Sequence, residues 1–296
     1  MEDELGLWKK GGKIAGEARE FGKELLKENA NLLEIAKKIE EFIHKKQGKI
    51  GFPVQISINN LAAHYTPFPD DTTFLKTGDL VKLDLGAQVD GFIGDTALTL
   101  EVGTNNNQEL IKASKKALEE AIKLCKPEVK VCEIGEVVNK TITSFGFKPI
   151  KNLSGHKVDR YILHSNISIP NFNNNDKTKL EEGMVIAIEP FATNGTGFVK
   201  EGKPSSNFRM HNPKPVRDPM TRDVLSFIEK EFKTLPFAKR HLIKFPIGKI
   251  NFALTNLEKQ GIIYQYPQLP EKQENCLVSQ HEHTIYISDP PIVLTK

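Results

Sequence analysis

The sequence predicts an α/β fold built twice over, with a ligand site between two related halves. Two helical patterns fill the first 48 residues, and a second helical pair runs from Asn107 to Gly146. Strand-like, Pro-punctuated sequence follows each pair. A cleft between two such halves is a favoured place for a ligand. The chain has 296 residues, enough for one large α/β domain or two smaller ones with ample core.

Composition narrows the class. A hydrophobic fraction of 39% and a charged fraction of 27% are those of an ordinary globular protein. A formal charge of +3 is too small to predict binding to nucleic acid or membrane. Cys125, Cys132 and Cys276 are sparse, odd in number and without a CxxC, which points to a reducing compartment rather than a disulfide framework. The acidic start, Met1-Glu2-Asp3-Glu4, leads straight into a charged helix and does not read as a signal peptide. The most apolar short run, Met184 to Ile188, is far too short to span a bilayer. A cytoplasmic protein is expected.

In the second N-terminal helix, Leu32, Ile35, Ala36, Ile39, Phe42 and Ile43 recur at helical spacing. Asn31 with Glu34 three residues later is the start signal, and Gly48 the stop. Residues 80–100 form the clearest hairpin. Val81, Leu83 and Leu85 alternate with Lys82, Asp84 and Gly86, and a turn around Val89-Asp90-Gly91 leads into a returning strand. A loop at 89–90 sets Asp84 directly across from Asp95, with Cβ atoms about 4.5–5.5 Å apart. A loop at Asp90-Gly91 makes the two diagonal neighbours on one face. Either way, two ionised carboxylates that close repel unless a cation lies between them. The third helix is expected over roughly 107–125, ending near Pro127. The fourth carries Ile134, Val137, Val138, Ile142 and Phe145 on one face and closes at Gly146.

Residues 205–270 read as an insert into a domain formed by 1–204 and 271–296. Asn207 to Arg217 is irregular and Pro-rich. Two amphipathic helical patterns follow, Val224-Leu225-Phe227-Ile228-Phe232 and Ile250-Ala253-Leu254-Leu257. After Gly261 comes a β-turn-β tail, so the insert looks like a winged helix. Its mild basic excess suits a solvated face, and a structural wall beside the active site is expected rather than a nucleic-acid reader.

Four short segments carry the chemistry: Lys82-Leu83-Asp84-Leu85-Gly86 with Gly94-Asp95-Thr96, Ser154-Gly155-His156, Ile188-Glu189-Pro190, and Glu282-His283-Thr284. Each places a carboxylate or an imidazole in an apolar, strand-like setting, where an unpaired charge is costly to bury. Four carboxylates and one His are best explained if divalent metal neutralises them. Oxygen-rich ligation with one imidazole suits Mn, Fe(II), Co or Zn, and five ligands exceed one tetrahedral site. The chain therefore reads as a two-metal hydrolase.

With Asn59 to Pro67, Asn152-Leu153 ahead of Ser154, and Ala187 to Thr193 added, these motifs in their order resemble the type 2 methionine aminopeptidases of the short archaeal kind. The resemblance covers essentially the whole chain, including the insert. It implies a pita-bread fold, two pseudo-symmetric α/β halves around a dinuclear metal site. It implies removal of an N-terminal methionine from nascent chains near the ribosome when the second residue is small, through attack of a water shared by two divalent metals. By resemblance, Asp84 chelates one metal, Asp95 and Glu282 bridge the pair, and His156 and Glu189 hold the other. Glu189 is the expected general base. His64 and His164 match positions that contact the substrate backbone, His164 near the scissile carbonyl. Phe52 and Tyr266 match methionine-pocket positions, with Leu163 and Phe191 as further candidates. A monomer that binds neither membrane nor nucleic acid is expected.

One position departs from the family. His281 stands where an aromatic residue is usual, so a histidine flanks Glu282 on either side. Adjacent strand residues point to opposite faces, so neither His281 nor His283 is expected to share the direction of Glu282. His281 reads as structural. His44, His211 and His241 carry no motif and read as surface or packing residues. An Xaa-Pro peptidase is the alternative enzymatic reading, and a metal-free binding protein of the same fold the non-enzymatic one. Relatives of the first kind carry a further N-terminal domain, and those of the second lose metal ligands, whereas all five ligand positions are present here.

Overall fold

A computed structural model of the chain describes residues 3–296; the first two residues of the acidic lead-in lie outside the described residues. Helix α1 (Glu4–Leu25) starts on Asp3, whose carboxylate accepts the Gly6 N–H at 2.7 Å. Helix α2 (Leu32–Lys45) starts on Asn31, whose side chain accepts the Glu34 N–H, as that pair of residues predicts. At its end the left-handed residue is Gln47, at φ 63°, and not Gly48. Gly48 matters for space, because a Cβ there would press on Ile14 and Ile43 at 3.2–3.3 Å.

Strands β1 (Lys49–Ile58), β2 (Leu61–Ala63), β3 (Leu80–Val89) and β4 (Phe92–Glu101) follow. They build an antiparallel sheet in the order β1-β3-β4, and β2 stands outside it. The β3–β4 loop is Asp90-Gly91, both at positive φ, with Val89 facing Phe92. The register therefore pairs Asp84 with Ala97 and Gly86 with Asp95. Asp84 and Asp95 are diagonal neighbours on one face. Ile35, Ile39 and Ile43 of α2 pack with Ile14 and Ala18 of α1 onto Val54, Ile56, Val81, Leu83 and Leu85. Each such fully buried aliphatic side chain contributes roughly 1.5–3 kcal/mol. Helix α1 also lies on β4 at Gly94, where an added Cβ would come within 2.5 Å of the Gly12 Cα.

The second half repeats the plan. Helices α3 (Gln108–Ile122) and α4 (Val131–Ser144) precede β5 (Lys148–Pro149), β6 (Ser154–Lys157), β7 (Ser168–Pro170), β8 (Val185–Ile188) and β9 (Phe191–Thr193). Here the stop is a left-handed glycine, Gly146 at φ 81°. Leu110, Ala117, Ile134, Val138 and Ile142 of the helix pair cover Ile169, Ile186, Ile188, Ile285 and Ile287.

The stretch read as an insert opens within β10 (Pro204–Met210), so residues 207–210, read as irregular, are strand. Helix α5 (Pro219–Glu231), β11 (Phe237–Ala238), α6 (Ile247–Lys259) and β12 (Ile263–Pro267) complete it, and β10 lies between β11 and β12. Phe208, Val224, Ile228, Phe237, Ile250, Leu254 and Leu257 give it a core of its own. Strand β13 (Leu269–Pro270) does not fold back on β12 but pairs with β2. Strands β14 (Val278–Gln280), β15 (His283–Tyr286) and β16 (Ile292–Val293) end the chain. Strand β14 pairs with β9, and β15 joins β16 to β8.

One of the backbone contacts between the two halves is a bridge at Ala97 and Glu282. The Glu282 N–H donates to the Ala97 carbonyl at 3.0 Å, and the Ala97 N–H returns to Glu282 at 3.4 Å. Strand β4 of the first half thereby meets the β15 segment of the second. Among the described residues no helix is long and apolar enough to cross a membrane.

Candidate metal centre

That bridge sets the site. Ala97 lies between Asp84 on β3 and Glu282, so side chains from both halves project into one place. On the other side, Thr284 of β15 faces Ala187 of β8, which faces His156 of β6. Glu189 is the first residue past β8. Asp95 is held by a reciprocal pair: its N–H donates to Thr284 Oγ1 at 2.7 Å, and that hydroxyl donates to the Asp95 carbonyl at 2.8 Å. Gln280 Nε2 donates to Glu282 Oε2 at 3.2 Å, and Thr99 anchors the Gln280 backbone on both sides.

Oxygen or nitrogen atoms of Asp95, His156 and Glu282 all lie within 4.8 Å of one another. His156 Nε2 is 3.5 Å from Asp95 Oδ2 and 3.7 Å from Glu189 Oε1. All five ligand candidates, Asp84, Asp95, His156, Glu189 and Glu282, line one cavity of about 350 Å³. No Lys or Arg lines it among the described residues. Asp84 Oδ1, Asp95 Oδ1 and Glu282 Oε1 are buried and take part in no hydrogen bond.

The electrostatics follow from that isolation. Burial pushes the Asp84 carboxyl up to about 7, against a hydrogen bond from Gln280 that lowers it. Asp95 is held well above the usual carboxylate range by burial and then by the charge of Asp84. Glu189 and Glu282 are raised in the same way, by burial first and by their neighbouring carboxylates next. Burial brings His156 down to about 4, leaving its imidazole neutral and able to offer a lone pair. Four crowded carboxylates, three of them with a buried unsatisfied oxygen, and one neutral imidazole are a donor set that fits divalent metal.

The remaining candidates converge on the same cavity. Phe52, His64, Leu163, His164, Phe191 and Tyr266 all border it. His164 stands edge-on to His156, ring centroids 4.4 Å apart, and is pushed well below the ordinary imidazole range by burial and then by His156. His64 Nδ1 lies 3.1 Å from the Pro267 carbonyl, which can only accept, so Nδ1 carries the proton and Nε2 is an acceptor. Its ring meets Tyr266 edge-on at 5.2 Å. His64 sits at φ 70°, a left-handed position for a residue with a side chain, and its N–H is held by Gln55 Oε1 at 2.7 Å.

Sequence reasoning missed Gln55, Asn207, Pro236 and Gln280. Gln280 was findable, since it precedes Glu282 by two residues and strand alternation turns both to one face. Gln55 faces Asp84 across the β1–β3 ladder. Asn207 and Pro236 reach the cavity from the insert and carry no local signal. His281 and His283 face away from Glu282 and border a different cavity, as alternation predicts.

Comparison with known proteins places this geometry. Residues 7–217 match metallopeptidase family M24. The methionine aminopeptidase of Pyrococcus abyssi is 46% identical over 286 residues, 96% of this chain and 96% of that protein. That of Methanocaldococcus jannaschii is 43% identical, with 96% and 95% covered. Among solved structures, "a thermophilic Arx1" superposes with a TM-score of 0.87 at 18% identity, over 98% of this chain and 90% of that one. A methionine aminopeptidase of Thermotoga maritima superposes at 0.72 and 22% identity, with 100% and 99% covered. The prolidase of Pyrococcus furiosus does so at 0.62 and 20%, covering all of this chain and 64% of that one. These structural likenesses concern the pita-bread fold. The chain belongs to metallopeptidase family M24 and, within it, to the methionine aminopeptidases.

Proposed function

We propose that this chain removes the N-terminal methionine from polypeptides whose second residue is small. One observation carries the reading: four buried carboxylates and a neutral imidazole meet at the wall of a cavity that His64, His164, Phe52 and Tyr266 also line. Asp84, Asp95, His156, Glu189 and Glu282 would hold two divalent ions of the Co, Mn, Fe(II) or Zn kind. Bound there, such ions would supply an activated water and a seat for the substrate's free amine, which would confine cleavage to an N-terminus.

The protein's own groups do the rest. Glu189, its basicity raised by burial, takes a proton from the attacking water and passes it to the leaving amine. His164, neutral at pH 7, donates an N–H to the scissile carbonyl oxygen as charge develops on it. His64 accepts a substrate backbone N–H at Nε2. Phe52 and Tyr266 enclose the methionine side chain, with Leu163 and Phe191 beside them. An apolar pocket discriminates by roughly 1–3 kcal/mol per methylene, so selectivity for methionine is real and imperfect.

The insert at 205–270 serves as a wall: Asn207, Pro236 and Tyr266 close one side of the cavity. The enzyme acts as a cytoplasmic monomer on nascent chains near the ribosome, without nucleic acid as ligand. The test is a peptidase assay on metal-stripped protein, with Co, Mn, Fe(II) or Zn restored in turn. Met-Ala-Ser and a non-Met Xaa-Pro tripeptide are offered side by side. Metal-dependent release of methionine from the first alone is expected. Cleavage of the second alone would move the chain to the prolidase branch, and no cleavage of either despite bound metal would overturn the reading.

A further inference from the structure

On the far side of the Glu282 strand from the metal ligands lies a second cavity, of about 500 Å³. Its floor is apolar, from Leu98, Ile111, Ile122 and Val293. Its rim is cationic, with Arg19, Lys23, Lys115 and Lys296 against Glu20 and Glu119. Both acids are already engaged. Glu20 pairs with Arg19 at 2.9 Å and Lys23 at 3.9 Å, and Glu119 with Lys116 at 3.4 Å. Lys115 and Lys296 stand in no ion pair among the described residues.

Two imidazoles border this cavity, each tethered by one nitrogen. His281 Nδ1 is 2.8 Å from Ser114 Oγ. His283 Nδ1 lies 2.8 Å from Thr295 Oγ1, which accepts the Thr284 N–H at 3.1 Å, and 3.3 Å from Arg19 Nη1, a group that can only donate to it. A ring that accepts at Nδ1 carries its proton on Nε2, so His283 has an N–H donor to spare. His281 Nε2 likewise makes no hydrogen bond among the described residues. The histidine at 281, in place of the aromatic usual in the family, adds a polar edge to this cavity.

An apolar floor, an uncommitted N–H donor and two unpaired ammonium groups together suit one kind of molecule. It has a hydrocarbon body and a single anionic oxygen head, and a cavity of this volume is of the size that holds small ligands. We propose that this cavity is a second ligand site, for a small amphipathic carboxylate. It is separate from the peptide site and lies back to back with it across Glu282.

The probe is decanoate, titrated calorimetrically into the metal-loaded protein with and without excess methionine. Decanol tests the charge, and Lys115→Glu and Ile122→Glu test the rim and the floor. Decanoate is expected to bind equally with methionine present. Decanol, and decanoate on either variant, should bind about tenfold more weakly or worse. Both positions lie on α3 and are not ligand candidates; Lys115 is exposed, so its variant is expected to fold. Unchanged binding to Lys115→Glu, displacement of decanoate by methionine, or no binding at about millimolar decanoate would each overturn the proposal.

Discussion

His164 and Gly86 show how much a single position does here. His164 sits beside His156 and is kept neutral, so the role proposed for it is that of an N–H aimed at charge that appears during the reaction. His164→Ala should therefore lower kcat by about 10²–10³ and leave KM and metal content nearly unchanged. Steady-state kinetics decide this, and a rise in KM alone would contradict the role. Gly86 faces Asp95 across the hairpin, and a Cβ there would lie 2.4 Å from the Phe52 ring. Phe52 is 2% exposed and has little room to retreat. Gly86→Ala should push that ring into the cavity proposed to hold methionine, at a cost of about 1–3 kcal/mol. The expected reading is a KM several-fold higher with metal content intact, relieved by adding Phe52→Leu; a normal KM in the single variant would show that the ring is not confined.

Between elements, the least anticipated contact is a buried clamp from the insert to α2. Arg240, on the short turn after β11, is 5% exposed. Its guanidinium pairs with Glu40 through both Nη2 and Nε, and its Nη1 donates to the Pro67 carbonyl at 3.1 Å. Nη1 also reaches Thr66 Oγ1, which itself donates to the Val54 carbonyl at 2.7 Å. His241 shares the carboxylate at 3.1 Å, so it is a partly buried polar partner rather than a packing residue alone. The clamp thus fixes the insert against β1 and the loop just after His64. Arg240→Met would strand Glu40 without its cation and should cost about 3–5 kcal/mol, a fall in Tm on the order of 10 °C. Adding Glu40→Leu should restore most of it. A double variant as unstable as the single would show that shape, and not charge, holds the two elements together.

For the molecule as a whole, the metal centre works against stability until it is filled. Burial lifts the Asp84 carboxyl to about 7 and the other three well above their ordinary range. A group with a raised folded pKa favours the folded state fully only below its unfolded value, about 4, and that contribution is lost as pH rises through the folded value. Metal-free protein should therefore weaken from about pH 4 through pH 7 and beyond. Metal takes the place of the protons, so the gain in Tm on reloading chelated protein should be larger near pH 8 than near pH 5. Melting curves at the two pH values check this; equal gains would mean that the carboxylates are not the metal's ligands. Much of this architecture was legible in advance, because helix period, strand alternation and Asp-Gly turns are local signals, and the five ligand candidates lie in motifs of that kind. What stayed hidden was set at long range. The β2–β13 pair is too short to show alternation, β10 becomes a strand through pairing with β11 and β12, and Glu40 and Arg240 look like solvated charges until α2 and the insert meet.

The bridge between Ala97 and Glu282 has one more consequence, in the order of synthesis. A growing chain emerges from its N-terminus, and the last carboxylate of the site arrives with residue 282, on a segment that must then pair across to both halves. No copy still being made can hold the complete site.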